Sequence, residues 1–136
     1  MFLKSKIDFS SVKNGIRGMI KRLSYQQPGW RKVAPMLIDS CKKNFENQGV
    51  GGIKWPLRKR ENKSPWPILY KSGDLYRSIK PEYQRRKLII KSTLAYSATH
   101  QYGDPSRNIP CRQYLYVPYE VAKRAIYLFD YWIING

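Results

Sequence analysis

His100 is the one histidine in this 136-residue chain, so its chemistry comes first. A lone histidine excludes a two-histidine metal site and the HExxH zinc helix. General acid–base catalysis would need a carboxylate or second imidazole to orient it, and none is evident beside Tyr96 and Tyr102. We therefore read His100 as structural. Cys41 and Cys111 are too few for a disulfide scaffold or a cysteine-rich zinc site. Both lie in apolar contexts and are expected to be inert, reduced thiols in a cytoplasmic setting. The nine acidic residues are scattered without a paired-carboxylate signature. No GxxxxGK(S/T), GxGxxG or GxSxG motif occurs. The expectation is a protein without catalytic, cofactor or metal residues.

What the chain has in abundance is positive charge. Lys and Arg number 26 against 9 Asp and Glu, a net charge of +17. Such a field attracts polyanions. The cations cluster at Lys13/Arg17/Lys21/Arg22, at Lys54/Arg58/Lys59/Arg60/Lys63, and at Arg85/Arg86/Lys87. No cluster carries a zinc finger, an RNP1 pattern or a GxxG clamp, so any DNA contact would be backbone-directed and sequence-independent. We expect Lys54, Arg58, Lys59, Arg60 and Lys63 to face DNA or an acidic partner; a merely solvated basic surface is the competing reading. Trp55 and Trp66 in the same polar loop either anchor it on the core or touch a partner.

These groups must be held by folded elements. A hydrophobic content of 42% with 14% aromatics supports a real core, and the length suits one domain spanning 1–136. No apolar run is long enough to cross a membrane, and the start lacks a signal-peptide pattern, so no membrane role is expected. Val12, Ile16, Met19, Ile20 and Leu23 recur at helical spacing, with Ser10 and Ser11 as candidate caps. Pro28-Gly29 is expected to break the chain before a second helix with the stripe Trp30, Ala34, Leu37, Ile38, Cys41 and Phe45. Pro35 must sit in that helix's first turn or kink it. Residues 49–67 form a loop, 68–79 a short helical stretch ended by Pro81, 82–94 one strand, 96–103 a helical turn ended by Gly103, and 111–117 a short strand. The segment from Pro118 to Ile133 is a terminal helix. The sum is an α+β fold, a small antiparallel sheet flanked by N-terminal and C-terminal helices.

The terminal helix is apolar on more than one face. Tyr127, Phe129, Tyr131 and Trp132 are therefore expected at a subunit interface, and a chain lacking residues 127–136 is expected to stay folded but fail to assemble.

Four segments carry a resemblance. These are Phe45 with Gly51-Gly52-Ile53-Lys54-Trp55-Pro56-Leu57, then Ile68-Leu69-Tyr70-Lys71-Ser72-Gly73-Asp74-Leu75-Tyr76-Arg77-Ser78-Ile79, then Tyr96-Ser97-Ala98-Thr99-His100-Gln101-Tyr102-Gly103, and finally Ile109-Pro110-Cys111-Arg112-Gln113-Tyr114-Leu115. In this order they resemble the bacteriophage virion morphogenesis, or tail completion, proteins of the phage Mu type. Cys111, Gln113 and Ser97 depart from the usual alanine, proline and alanine. Trp55, Gly73, Leu75, Tyr96, His100, Gly103, Pro110 and Arg112 are the motif positions, and they make sense as scaffold. Gly73 suits a positive φ or close backbone approach, Gly103 a helix end, and Arg112 a fork bonding the 103–112 loop or a neighbour.

The resemblance implies a structural virion protein at the neck or head-proximal end of the tail. It would act in tail completion or head–tail joining as a homo-oligomer, with a hexameric ring expected. Neck, connector and tail-tube proteins would be its partners, with phage DNA in the channel. It would be assembled in the host cytoplasm. The alternative is a free, sequence-independent nucleic-acid-binding protein.

Overall fold

The computed structural model describes residues 9–58 and 65–136. Helix α1 runs Ser10–Ser24 and α2 Gln27–Asn47. A two-residue hairpin follows, β1 Gly49–Val50 with β2 Ile53–Lys54. Then come α3 Asp74–Arg77, β3 Ile79–Tyr83, β4 Leu88–Ser92, α4 Ser97–Tyr102 and α5 Tyr119–Asn135. The fold is α+β, with two separate antiparallel ladders, β1–β2 and β3–β4. Among the described residues, no helix is long and apolar enough to cross a membrane.

Helix α2 is the spine, packed against α5 and both strands of the second ladder. Its apolar stripe divides between two cores. Val33 joins Ala125, Phe129, Trp132 and Ile133 of α5, with Trp30 stacked on Phe129 at 3.8 Å between ring centres. Cys41 and Phe45 join Trp55, Ile68, Leu75, Ile79 and Tyr114. Burial pushes the Cys41 thiol up to about 11, with the Tyr116 carbonyl opposing, so it stays protonated.

Several elements differ from the sequence reading, each for a local reason. Helix α1 begins after Phe9, so Ser10 and Ser11 are its first helical residues rather than caps. The chain breaks at Tyr25–Gln26, whereas Pro28 and Gly29 lie in the first turn of α2, where proline lacks only an N–H that has no helical acceptor. Gly29 is needed there because a Cβ would stand 2.3 Å from Trp132. Pro35 is interior to α2, which runs on past it. The helical stretch expected over 68–79 shrinks to α3, because Leu69 and Gly73 take φ values of +62° and +77°. Pro81 ends no helix; it pairs with Ile90 inside β3. A two-stranded ladder has only edges, so a proline without an N–H is tolerated.

The single strand expected over 82–94 is instead the end of β3, a turn and β4. That turn, Gln84 to Lys87, has no glycine or proline to announce it. The α1–α2 junction holds its backbone: the Gln26 N–H donates to the Arg85 carbonyl at 2.7 Å, and Gln27 Nε2 to the Tyr83 carbonyl at 3.2 Å. Residues 111–117 form no strand.

Candidate functional site

The missing strand leads to the most organised polar chemistry in the molecule. The backbone of 112–116 has no ladder partner, and side-chain amides take the ladder's place. Gln101 Oε1 accepts the N–H groups of Tyr114 and Leu115 at 3.0 and 2.9 Å. Asn44 Nδ2 donates to the carbonyls of Tyr114 and Tyr116 at 2.8 and 3.0 Å. Trp55 Nε1 donates to the Gln113 carbonyl at 3.0 Å, and the Tyr114 hydroxyl to the Ser97 carbonyl at 3.3 Å. Tyr114 is wholly buried. A third amide, Gln48, caps α2 at φ +52° and exchanges two hydrogen bonds with the Ile68 backbone. Sequence reasoning named none of these three amides as site residues. Asn44 left a signal, a buried-type position between Cys41 and Phe45 on the stripe of α2.

The motif positions gather around this clamp. Arg112 is 5% exposed; its N–H donates to the His100 carbonyl and its Nε to the Pro56 carbonyl, both at 2.8 Å. The sequence expectation tied Arg112 to the 103–112 loop or to a neighbouring subunit; its Nε bond reaches the Pro56 carbonyl, in the loop after Trp55. Gly103 ends α4 at φ +76°, where a Cβ would meet the Cys111 nitrogen at 2.7 Å. Asp104 and Ile109 close the following loop as a β-bridge, with Pro110 next to it. Asp104 accepts from Ser106 and Arg107, and these bonds hold its carboxyl down to about 2. Leu75 is buried in the second core.

His100 stacks edge-on against Tyr96, and its Nδ1 is buried with no partner among the described residues. Burial, helped by the charges of Arg112 and Arg107, keeps it below the ordinary imidazole range and therefore neutral. A cleft of about 420 Å³ is lined by Arg58, Trp66, Tyr70, Gly73, Tyr96, His100 and Arg112. Its cations and aromatics suit an anionic or aromatic group. Asp74, the carboxylate at its edge, is already paired with Arg77 at 2.7 Å. Among the described residues, no group of His, Cys, Asp and Glu could hold a metal ion.

The remaining candidates divide. Lys54 donates to the Asn47 carbonyl at 2.6 Å, and Arg58 to the Trp66 carbonyl at 2.9 Å. Lys59, Arg60 and Lys63 lie outside the described residues. Of the four aromatics expected at an interface, Phe129 and Trp132 pack into this chain's own core, whereas Tyr127 and Tyr131 stand on the surface. The β3–β4 hairpin concentrates charge as well: Lys80 stands opposite Lys91, and Arg85, Arg86 and Lys87 form its exposed tip.

Among known proteins, the human double-stranded RNA-binding protein Staufen homolog 2 is 32% identical over 94 residues. That stretch is 69% of this chain, which spans only 15% of the length of that protein. No solved structure matches. The clamp residues Asn44, Gln48 and Gln101, together with Arg112, all fall within residues 7–128, where the sequence matches the phage virion morphogenesis family, and to that family the chain belongs.

Proposed function

We propose that this protein is a structural subunit of the phage neck or the head-proximal end of the tail, acting in tail completion or head–tail joining as a hexameric ring. The observation that carries the reading is the family membership over residues 7–128. The reading is supported in kind by motif residues that fix backbone shape, among them Arg112 through its bond to the Pro56 carbonyl and Gly103 at its positive φ. Shape that must fit other subunits is what such clamping maintains. Ring closure needs a heterologous contact repeated by rotation. Six copies of a +17 chain repel one another unless some basic faces meet DNA or acidic neighbours. Lys54, Arg58 and the hairpin tip are the surfaces we assign to that contact. On this reading the protein is not an enzyme.

The test is a map of the intact particle, with the purified chain sized at about 0.5 M salt beside it. A ring at the neck that survives salt supports the proposal. Salt-sensitive aggregates that need nucleic acid would instead favour the nucleic-acid-binding reading.

A further inference from the structure

Two cationic clusters that are far apart in the sequence meet in the fold. Lys13, Arg17 and Lys21 recur every fourth residue on one side of α1, and all three are exposed. At 1.5 Å per residue this line runs about 12 Å, and Ser24, one turn further on, falls on the same side. The β3–β4 tip is fastened to that end of the helix. Arg85 Nε donates to the Ser24 carbonyl at 2.8 Å, and the Gln26 N–H donates back to the Arg85 carbonyl. Ser24, Gln26 and Arg86 line one cleft at this corner. The start of α2 joins them through Arg31, whose guanidinium sits 4.3 Å from the centre of the Tyr83 ring at the end of β3. Three elements thus build one cationic surface, and hydrogen bonds to the backbone fix its corner.

Acids do not dilute it. Between Phe9 and Lys32, and again between Gln84 and Lys91, the chain has no Asp or Glu. Glu82, the nearest acid along the hairpin, is bonded to Lys91 and Gln84, with Lys87 acting on it from further off. Helix α5 packs against α1, yet its Glu120 and Asp130 pair with none of these cations. Among the described residues, Lys13, Arg17, Lys21, Arg85, Arg86 and Lys87 form no ion pair, whereas Asp39, Asp74 and Asp104 each hold a cation elsewhere. Six like charges on one face repel one another, and a polyanion relieves that repulsion. The length of the line selects the kind. Duplex DNA presents one phosphate per about 3.4 Å of axis on each strand, so the α1 line alone spans about four. A small anion or a single carboxylate would meet only one end of it.

We propose that the α1 line and the hairpin tip form one duplex-DNA surface, which grips phosphates and reads no bases. The proposal rests on the neck reading above, in which DNA is the polyanion at hand, and it gives that contact a surface spanning α1 as well as the tip.

The test titrates the full chain into a labelled duplex DNA of about 20 base pairs, by anisotropy, between about 0.05 and 0.5 M salt. Each phosphate contact contributes about 0.9 to the slope of log affinity against log salt, and about fivefold in affinity at about 0.15 M. Arg86→Gln with Lys87→Gln keeps the Arg85 bond to α1 and should lower the slope by about 2. Lys13→Gln with Arg17→Gln and Lys21→Gln should lower it by about 3. All five positions are exposed, so melting curves should match wild type. Lys43→Gln with Lys123→Gln and Arg124→Gln removes three charges from the groove between α2 and α5 and should leave the slope unchanged. A slope that neither variant moves, or that the groove variant moves as much, overturns the proposal and leaves the ring reading standing. Polyglutamate that competes as well as DNA would assign the surface to an acidic polypeptide, and tighter binding of duplex RNA would assign it to RNA; either result overturns the proposal. Both losses as stated, in a chain that forms no ring in the particle, would support the DNA surface and remove the ring reading alone.

Discussion

Gln101→Met removes an amide and keeps the length of the side chain, which makes it the sharpest probe of the clamp. The native Oε1 is the acceptor for two backbone N–H groups, those of Tyr114 and Leu115. A buried donor left without an acceptor costs about 1–3 kcal/mol. Tyr114 is wholly buried and bears the full cost, whereas Leu115 is half-buried and water can reach it in part. The sum is about 2–4 kcal/mol, a large share of the roughly 5–15 kcal/mol expected of a domain. At about 4 °C per kcal/mol the melting temperature should fall by about 10 °C. Urea unfolding followed by tryptophan fluorescence measures this, and an unchanged slope would show that only stability moved. Asn44→Leu should act similarly through the carbonyls of Tyr114 and Tyr116. Both amides hold one segment, so the double variant should lose less than the two single losses added together. A Gln101→Met midpoint within about 0.5 kcal/mol of wild type would refute the argument, since that is the range of a surface substitution.

Glycines provide a paired contrast. Gly103→Ala places a Cβ 2.7 Å from the Cys111 nitrogen at φ +76° and should destabilise by about 1–3 kcal/mol, whereas Gly15→Ala meets nothing and should stabilise by about 0.5–1 kcal/mol in the same melting assay. His100 makes stability depend on pH: its folded value lies below the ordinary 6.5, so the unfolded chain binds the extra proton first. Stability should be level above about pH 7 and fall as pH drops through 6.5 towards the folded value, and His100→Phe should flatten that fall in urea midpoints. Deleting residues 127–136 removes Phe129, Trp132 and Ile133 from the first core, so the truncated chain should unfold by circular dichroism, contrary to the soluble fragment expected from sequence.

What was legible in the sequence were the features carried by periodicity. The stripes of α1, α2 and α5 have helical spacing, and Gly73 and Gly103 sit where their motifs demand unusual backbone. The β3–β4 turn was not legible, because nothing within Gln84 to Lys87 forces a turn; the junction at Gln26 and Gln27 does so from a distance. Residues 111–117 alternate like a strand, but no local pattern reveals that amides from α2 and α4 take the place of a pairing strand. At α5 the sequence showed too many aromatics for one face. It could not say which of them turn inward, since that depends on where α2 lies.

Salt separates the two forces that a +17 chain must balance. Carboxylates are already drawn into local pairs: Asp39 with Lys43, Asp74 with Arg77, Glu82 with Lys91, and Asp104 with Arg107. Such pairs are exposed and each contributes little, and none changes the net charge that neighbouring copies present to one another. Assembly into the proposed ring would therefore work against Coulomb repulsion. At about 0.15 M salt the screening length is about 8 Å, so raising salt shortens the reach of that repulsion and should tighten the contact between copies. A phosphate-backbone contact behaves in the opposite way, because each neutralised phosphate releases counterions and binding weakens steeply with salt. Sedimentation of the chain alone and fluorescence anisotropy with duplex DNA, each between about 0.05 and 0.5 M salt, should thus give slopes of opposite sign. If self-association weakens with salt as DNA binding does, ionic contacts rather than apolar ones hold the copies together.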